Sequence, residues 1–245
     1  MLGIIDWGIG GVSIYKIIKE QLPDVPVLYF SDTGVTPYGK MARRELAERL
    51  DAVIEFLKAN GATHIVIGCN AASTAIGDLA DHGILVKGVI EPAVAFTSRL
   101  KPKRLGLIGG RRTVVSGVYR RAFSKNNISI EQRVAQPLSG LIESGDTSSD
   151  KLRSEAKRIL SPLQNCSHIL LACTHYPAIS NLLAEFVSPK TKLVDPAAEM
   201  VKIVSKWRFA AGRDRFFTSG DPDAMKLSAK NAFGVSIKSV KKITL

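Results

Sequence analysis

One short stretch occurs twice, and that repetition limits the fold more than any other feature of the chain. Residues 64–70 read His-Ile-Val-Ile-Gly-Cys-Asn, and residues 168–174 read His-Ile-Leu-Leu-Ala-Cys-Thr. Each is an apolar run of strand length that ends on a cysteine and a small polar residue. Cys69 and Cys173 lie 104 residues apart. A second echo runs at nearly the same offset. Leu2-Gly3-Ile4-Ile5 matches Leu105-Gly106-Leu107-Ile108, and Ser13 matches Ser116, each 103 residues on. Buried strands rich in Leu and Ile resemble one another by composition alone, but matched cysteines do not follow from composition. The pattern predicts a duplicated α/β unit.

The segments between the echoes fit that reading. Strands are expected over 2–6, 27–30, 64–68, 85–89, 105–108, 128–134, 168–172, 216–219 and 235–243. Helices are expected over 12–22, from the start of 71–79, over 114–123, over 150–160 with Ser149 or Asp150 as cap, and over 222–233. Another carries Leu46, Leu50, Val53, Ile54 and Leu57 and stops at Asn60-Gly61. A second α/β pair is expected after 168–172. Alternating strands and helices predict two similar α/β lobes with mainly parallel sheets, helices on both faces, and pseudo-two-fold symmetry. Neither a long linker nor a low-complexity segment interrupts the chain.

At 245 residues and 45% hydrophobic content, one large domain or two small ones can form a core. No apolar run reaches membrane-spanning length, and Met1–Asp6 lacks the basic and apolar regions of a signal peptide. Three cysteines do not make a disulfide framework and fit a reducing, cytoplasmic setting. The net charge of +12 has two readings, a nucleic-acid or other polyanionic partner and a plain solvated basic surface. The basic residues form small clusters at 101–104, 111–112, 120–121 and 238–242, with no aromatic-interleaved motif or zinc-finger spacing.

In parallel α/β sheets, functional residues gather beyond the C-terminal strand ends. Cys69 and Cys173 are both expected there, one per unit, facing each other across the cleft if the units are related by symmetry. A thiol on each side of a bound carbon can remove a proton from one face and return one to the other, which inverts configuration. A free thiol titrates at about 8.5 and needs help to ionise. Asp6 and His175 are the candidate helpers. Asn70, Thr174 and backbone N–H groups are the candidate donors around the substrate carboxylate.

Plainer readings stand beside these. Either cysteine can be a small buried residue, His175 a helix cap, and Glu143 a surface helix residue. Cys166, His64 and His168 read as structural. Cys173-x-His175 is at most half of a metal site, and four histidines without a second pair at ligand spacing leave no metal predicted. The segment Asp6-Trp7-Gly8-Ile9-Gly10-Gly11 between a strand and a helix reads as an anion site. Asp32 has the spacing that a dinucleotide site wants, but the full G-x-G-x-x-G pattern is missing.

At this point the chain resembles the glutamate racemase family, within the aspartate/glutamate racemase superfamily, over nearly its whole length. The motifs that carry the resemblance are Asp6-x-Gly8-x-Gly10-Gly11, Pro37-Tyr38-Gly39, Gly68-Cys69-Asn70, Cys173-Thr174-His175-Tyr176-Pro177 and Thr218-Ser219-Gly220-Asp221-Pro222. The resemblance implies a cofactor-independent two-thiol racemase with lobes 1–97 plus 207–245 and 98–206, and its active site between them. It implies that Asp6 assists Cys69 and His175 assists Cys173. It places the distal carboxylate on the backbone of Pro37, Tyr38 and Gly39 and the amino-acid end on Asn70 and Thr174, with Thr113 and Glu143 also at site positions. A homodimer and a role in making D-glutamate for peptidoglycan follow from the same resemblance.

Three positions depart from the family pattern. Trp7 stands for a usual Ser, Ala71 for a usual Thr and Gly110 for a common Thr. Each change removes a hydroxyl at the amino-acid end of the substrate, where a bond to a charged group contributes about 1.5–3 kcal/mol. A racemase for a different acidic substrate is therefore the second reading, and a non-catalytic binding protein the third. Intact Cys69, Cys173, Asp6 and His175 weigh against the third, and Trp7 weighs for it.

Overall fold

The computed structural model describes residues 1–245. The first part of the chain runs β1 (Leu2–Asp6), α1 (Val12–Gln21), β2 (Val27–Ser31), α2 (Arg43–Ala59), β3 (His64–Ile67), α3 (Asn70–Ser73), β4 (Leu85–Gly88) and α4 (Ile90–Arg99). The second part runs β5 (Leu105–Gly109), α5 (Arg111–Val115), α6 (Val118–Ser124), β6 (Ile130–Val134), α7 (Gln136–Glu143), α8 (Asp150–Leu160), β7 (His168–Ala172), α9 (Ser180–Ala184), β8 (Lys192–Val194) and α10 (Ala197–Val204). The chain closes with β9 (Arg215–Thr218), α11 (Pro222–Phe233) and β10 (Val240–Lys242).

These strands form two sheets in which every pairing is parallel. The first has the order β10-β9-β2-β1-β3-β4 and the second β6-β5-β7-β8. The block β2-β1-β3-β4 thus recurs as β6-β5-β7-β8, which is the duplication the two sequence echoes predict. The echo extends to a hydroxyl. Ser13 donates to the Gly10 carbonyl at 2.8 Å, and Ser116 donates to the Thr113 carbonyl at 2.9 Å.

The central strands of both sheets are buried on both faces, as parallel sheets require. Alternate residues of one strand feed different cores. Leu2 and Ile4 of β1 pack with α1, α10 and α11, whereas Ile5 packs with α2. In β7, Ile169 and Leu171 meet α7, α8 and α9, whereas Leu170 and Ala172 meet α4 and α6. The chain leaves the first sheet through α4, which lies on the second, and returns through α10, which lies on the first. Local signals hold the helix ends. The Ser149 hydroxyl accepts from Leu152 N–H, and the Asp221 carboxylate accepts from Asp223 and Ala224 N–H.

Several expectations need correction. The helix expected from 71–79 is only one turn, α3, followed by a 3-10 turn at Ile76–Asp78. The hydroxyls of Ser73 and Thr74 bond back to the Ile67 and Ala71 carbonyls and compete with the helical pattern. The helix expected over 114–123 is two, broken at Gly117 with φ +68°. The last strand is 240–242 rather than 235–243. In its register Val240 pairs with Phe216, so residues before 239 lie beyond the start of β9 and have no strand to pair with. Helices α4 and α7 lie outside the expected helical spans; each carries a proline in its first turn, Pro92 and Pro137, where helices tolerate it.

Candidate active site

Asp6 ends β1, Cys69 follows β3, and Cys173 follows β7. The parallel sheets therefore bring all three to C-terminal strand ends. They line one cavity of about 280 Å³ between the two halves of the chain. Its wall also includes His175, Thr174, Asn70, Ala71, Thr113, Pro37, Tyr38, Gly39 and Trp7.

The two thiols have different surroundings. The Cys173 sulfur lies 3.6 Å from His175 Nδ1, and His175 Nε2 lies 2.7 Å from Glu143 Oε2. Burial opposes charge on this imidazole, but its bonds to Cys173 and Glu143 outweigh burial and hold its pKa well above the ordinary histidine value. When charged, the ring donates from both nitrogens, with Nδ1 on the side of the sulfur. At Cys69, burial pushes the thiol well up, and the Asp6 charge adds to it. The N–H groups of Ala72 and Ala71 pull the other way. Burial also raises the Asp6 carboxyl to about 6, against the pull of His175 and of the bonds from Gly8 N–H and Thr174. Its oxygens accept from Gly8 N at 3.0 Å and from Thr174 Oγ1 at 2.9 Å. A carboxyl titrating near neutrality can take and release protons beside a thiol.

Donors converge on the same cavity. The amides of Tyr38 and Gly39 have no acceptor within the protein, nor do those of Cys173, Thr174 and His175. Thr113 Oγ1 is buried without a partner. Asn70 Oδ1 accepts from the Tyr119 hydroxyl at 2.7 Å, which fixes the amide and leaves its NH₂ unused by the protein. The Pro37-Tyr38-Gly39 turn is braced from behind. Asp32, fully buried, accepts from the Tyr38 hydroxyl at 2.7 Å, from Ser219 at 2.7 Å and from the Arg49 guanidinium at 2.6 and 2.8 Å.

The glycine-rich turn departs from the anion-site reading. Its Ile9 N–H is occupied by a protein carboxylate, since Glu143 Oε2 accepts from it at 2.9 Å. A methyl group at Gly8 would lie 2.0 Å from that carboxylate, and one at Gly10 would lie 2.4 Å from Thr174 Oγ1 and 2.6 Å from His175 Nδ1. These glycines admit Glu143, Thr174 and His175 of the second lobe rather than a dinucleotide phosphate. Glu143, expected to touch substrate, does not reach the cavity wall; it supports His175 from behind. Trp7 lies at the wall with its ring packed against the core of α2, and its Nε1 donates to the Val35 carbonyl at 3.2 Å.

Cys166 is buried beneath the second sheet, away from the cavity, and His64 stacks on Trp207 at 4.8 Å. No group of three or more His, Cys, Asp or Glu side chains is placed to hold a metal ion, and no helix is long and apolar enough to cross a membrane. Lys40, Gln136, Ser139, Gly140 and Ala172 also line the cavity and were not singled out from sequence. Three of them come from α7, whose polar start, Gln136-Pro137, carries no signal specific to a site.

Residues 2–204 match the family described as Asp/Glu/Hydantoin racemase. The glutamate racemase of Desulforudis audaxviator is 32% identical over an alignment of 266 residues, covering 100% of this chain and 97% of the relative. Among solved structures, the glutamate racemase of Francisella tularensis in complex with D-glutamate has a TM-score of 0.88 at 25% identity, covering 99% of this chain and 97% of that one. The Thermus thermophilus glutamate racemase in complex with β-chloro-D-alanine has a TM-score of 0.86 at 27% identity, covering 100% and 96%.

Proposed function

The chain belongs to the Asp/Glu/Hydantoin racemase family, and from that membership we propose that it interconverts the enantiomers of an acidic amino acid, glutamate by default, without a cofactor. The observation that carries this reading is the pair Cys69 and Cys173, at matched strand ends on one cavity, with Asp6 by the first and His175 bonded to the second. The distal carboxylate sits on the free N–H groups of Tyr38 and Gly39. The α-carboxylate takes the NH₂ of Asn70, the Thr113 hydroxyl and the free amides of 173–175.

One thiolate removes the α-proton and becomes a thiol. The carbanion is held by the fixed donors at its carboxylate. The opposite thiol gives its proton to the other face and becomes a thiolate. After one turnover the two sulfurs have exchanged protonation states, and the reverse reaction or proton exchange through Asp6 and His175 restores them. The functional units are the lobes 1–97 with 207–245 and 98–206, with α4 and α10 reaching across the seam. A homodimer in the cytoplasm, supplying D-glutamate to peptidoglycan, completes the proposal.

A different acidic substrate is the second reading, favoured by Trp7, Ala71 and Gly110 on the wall, since none brings a hydroxyl. One experiment decides between them. L- and D-amino acids are incubated with the enzyme in D₂O, and α-deuterium and enantiomeric composition are followed. Exchange and racemisation confined to glutamate support the first reading. Faster reaction of another acid supports the second, and no exchange with any amino acid would overturn both.

A further inference from the structure

The basic pair Arg111-Arg112 has no task in the reaction above. Arg112 projects from α5 of the second lobe to the substrate turn of the first. Its Nε donates to the Tyr38 carbonyl at 2.9 Å, and its Nη2 donates to the Met41 carbonyl. No carboxylate pairs with it, and its burial, together with Arg43 nearby, lowers its pKa. A partly buried guanidinium is thus spent on two backbone carbonyls, an arrangement that its planar fork suits and that an ammonium cannot reproduce.

The geometry of one peptide gives this contact a consequence. The carbonyl of Tyr38 and the N–H of Gly39 belong to the same trans peptide plane and point opposite ways. With the carbonyl drawn onto Arg112, the Gly39 N–H is turned away from it. Neither that amide nor that of Tyr38 has an acceptor in the protein, and both residues line the cavity. Asp32 holds the Tyr38 ring from the first lobe, and Lys40 N–H closes the turn onto the Pro37 carbonyl at 2.7 Å, so the second lobe acts on the 38–39 peptide between these anchors. The next residue along α5, Thr113, also lines the cavity, and its buried hydroxyl has no partner in the protein.

We propose that Arg112 is a positioning residue that makes the distal-carboxylate site of the first lobe depend on the second lobe. It fixes the 38–39 peptide with its N–H toward the cavity, and that site is complete only while the lobes are latched. The inference rests on the acidic-amino-acid reading above and adds the residue that enforces it.

The test compares parent, Arg112→Met and Arg112→Lys enzymes in two assays, glutamate kinetics and calorimetric binding of glutarate. Glutarate has the distal carboxylate but cannot react. Arg112→Met is expected to weaken glutarate binding and raise KM about tenfold, with kcat within threefold of the parent. Arg112→Lys should recover part of the binding, because an ammonium reaches one carbonyl. Glutarate affinity within twofold of the parent in Arg112→Met would overturn the proposal. So would a collapse of kcat with glutarate affinity intact, which would place Arg112 in the chemistry. A parent that binds glutarate but leaves glutamate unchanged refutes the reaction assigned above while the glutarate arm still reads Arg112. A parent that binds no glutarate overturns the proposal for Arg112, and one that in addition leaves glutamate unchanged refutes both.

Discussion

Replacing Glu143 by Gln isolates charge from shape in the support of His175. One oxygen, Oε2, accepts from both Ile9 N at 2.9 Å and His175 Nε2 at 2.7 Å. The amide oxygen of Gln can take the same place and accept from both, so neither donor is orphaned. What is lost is the carboxylate's charge. Hydrogen bonds to charged groups contribute about 1.5–3 kcal/mol, and the bond from the imidazolium to a neutral amide oxygen falls to the low end of that range, a loss of up to about 1.5 kcal/mol. That is about one pKa unit and about tenfold in rate. Because the Glu143 bond helps to raise the His175 pKa, its loss moves the pKa down. The limb of the pH–rate profile that needs the imidazolium should shift to lower pH by about one unit, and activity on its alkaline side should fall about tenfold. Glu143→Ala should cost more, since it leaves both donors unpaired. The assay is racemisation followed by circular dichroism from pH 6 to 10, with binding of an unreactive dicarboxylate as control. An unshifted profile in Glu143→Gln would refute the role given to Glu143.

Three further outcomes are expected. Asp6 has a pKa raised from 3.8 to about 6, so its ionisation penalises the folded state. That stability is present below the unfolded value and lost as pH rises through about 6, and it amounts to roughly 3 kcal/mol. Asp6→Asn should abolish activity yet show a smaller fall in Tm between pH 4 and 7 than the parent; an equal fall contradicts the assignment. Gly10→Ala should cut kcat by 100-fold or more, because its methyl would meet Thr174 Oγ1 and His175 Nδ1 at 2.4 and 2.6 Å; activity within tenfold of the parent contradicts this. The combination Trp7→Ser, Ala71→Thr and Gly110→Thr should raise glutamate racemisation at least tenfold, about 1.4 kcal/mol. Gln136 must yield for it, since a Cβ at 110 would lie 3.1 Å from its Oε1. A parent kcat/KM of about 10⁴ M⁻¹s⁻¹ or more would show that the three departures do not impair glutamate.

The cysteines could be read from sequence because strand ends leave a local mark: an apolar run, then a change to small polar residues, repeated at one offset. Asp6 also ends an apolar run, without the repeat, whereas the turn at Pro37 carries no such mark and was tied to substrate only by the family resemblance. Glu143 could not be read that way. Its place depends on the space left by Gly8, far away in the chain, and nothing around either residue advertises the other. Gln136 was missed with α7, a short helix with little to distinguish it. Arg112 looked like one more basic surface residue because its partners are carbonyls, which every sequence supplies. The fate of 71–79 was hidden for a related reason: alanines favour a helix locally, and the hydroxyls of Ser73 and Thr74 end it by reaching backbone groups.

The claim at the centre of this account is that two thiols act from opposite faces of one carbon. It is tested most directly by Cys69→Ser and Cys173→Ser, each assayed for racemisation in D₂O and for α-proton exchange or elimination on the separate enantiomers. Racemisation should be abolished in both, and any remaining one-sided reaction should select opposite enantiomers in the two variants. Racemisation within a few-fold of the parent in either variant, or residual reaction on the same enantiomer in both, would contradict the two-thiol mechanism.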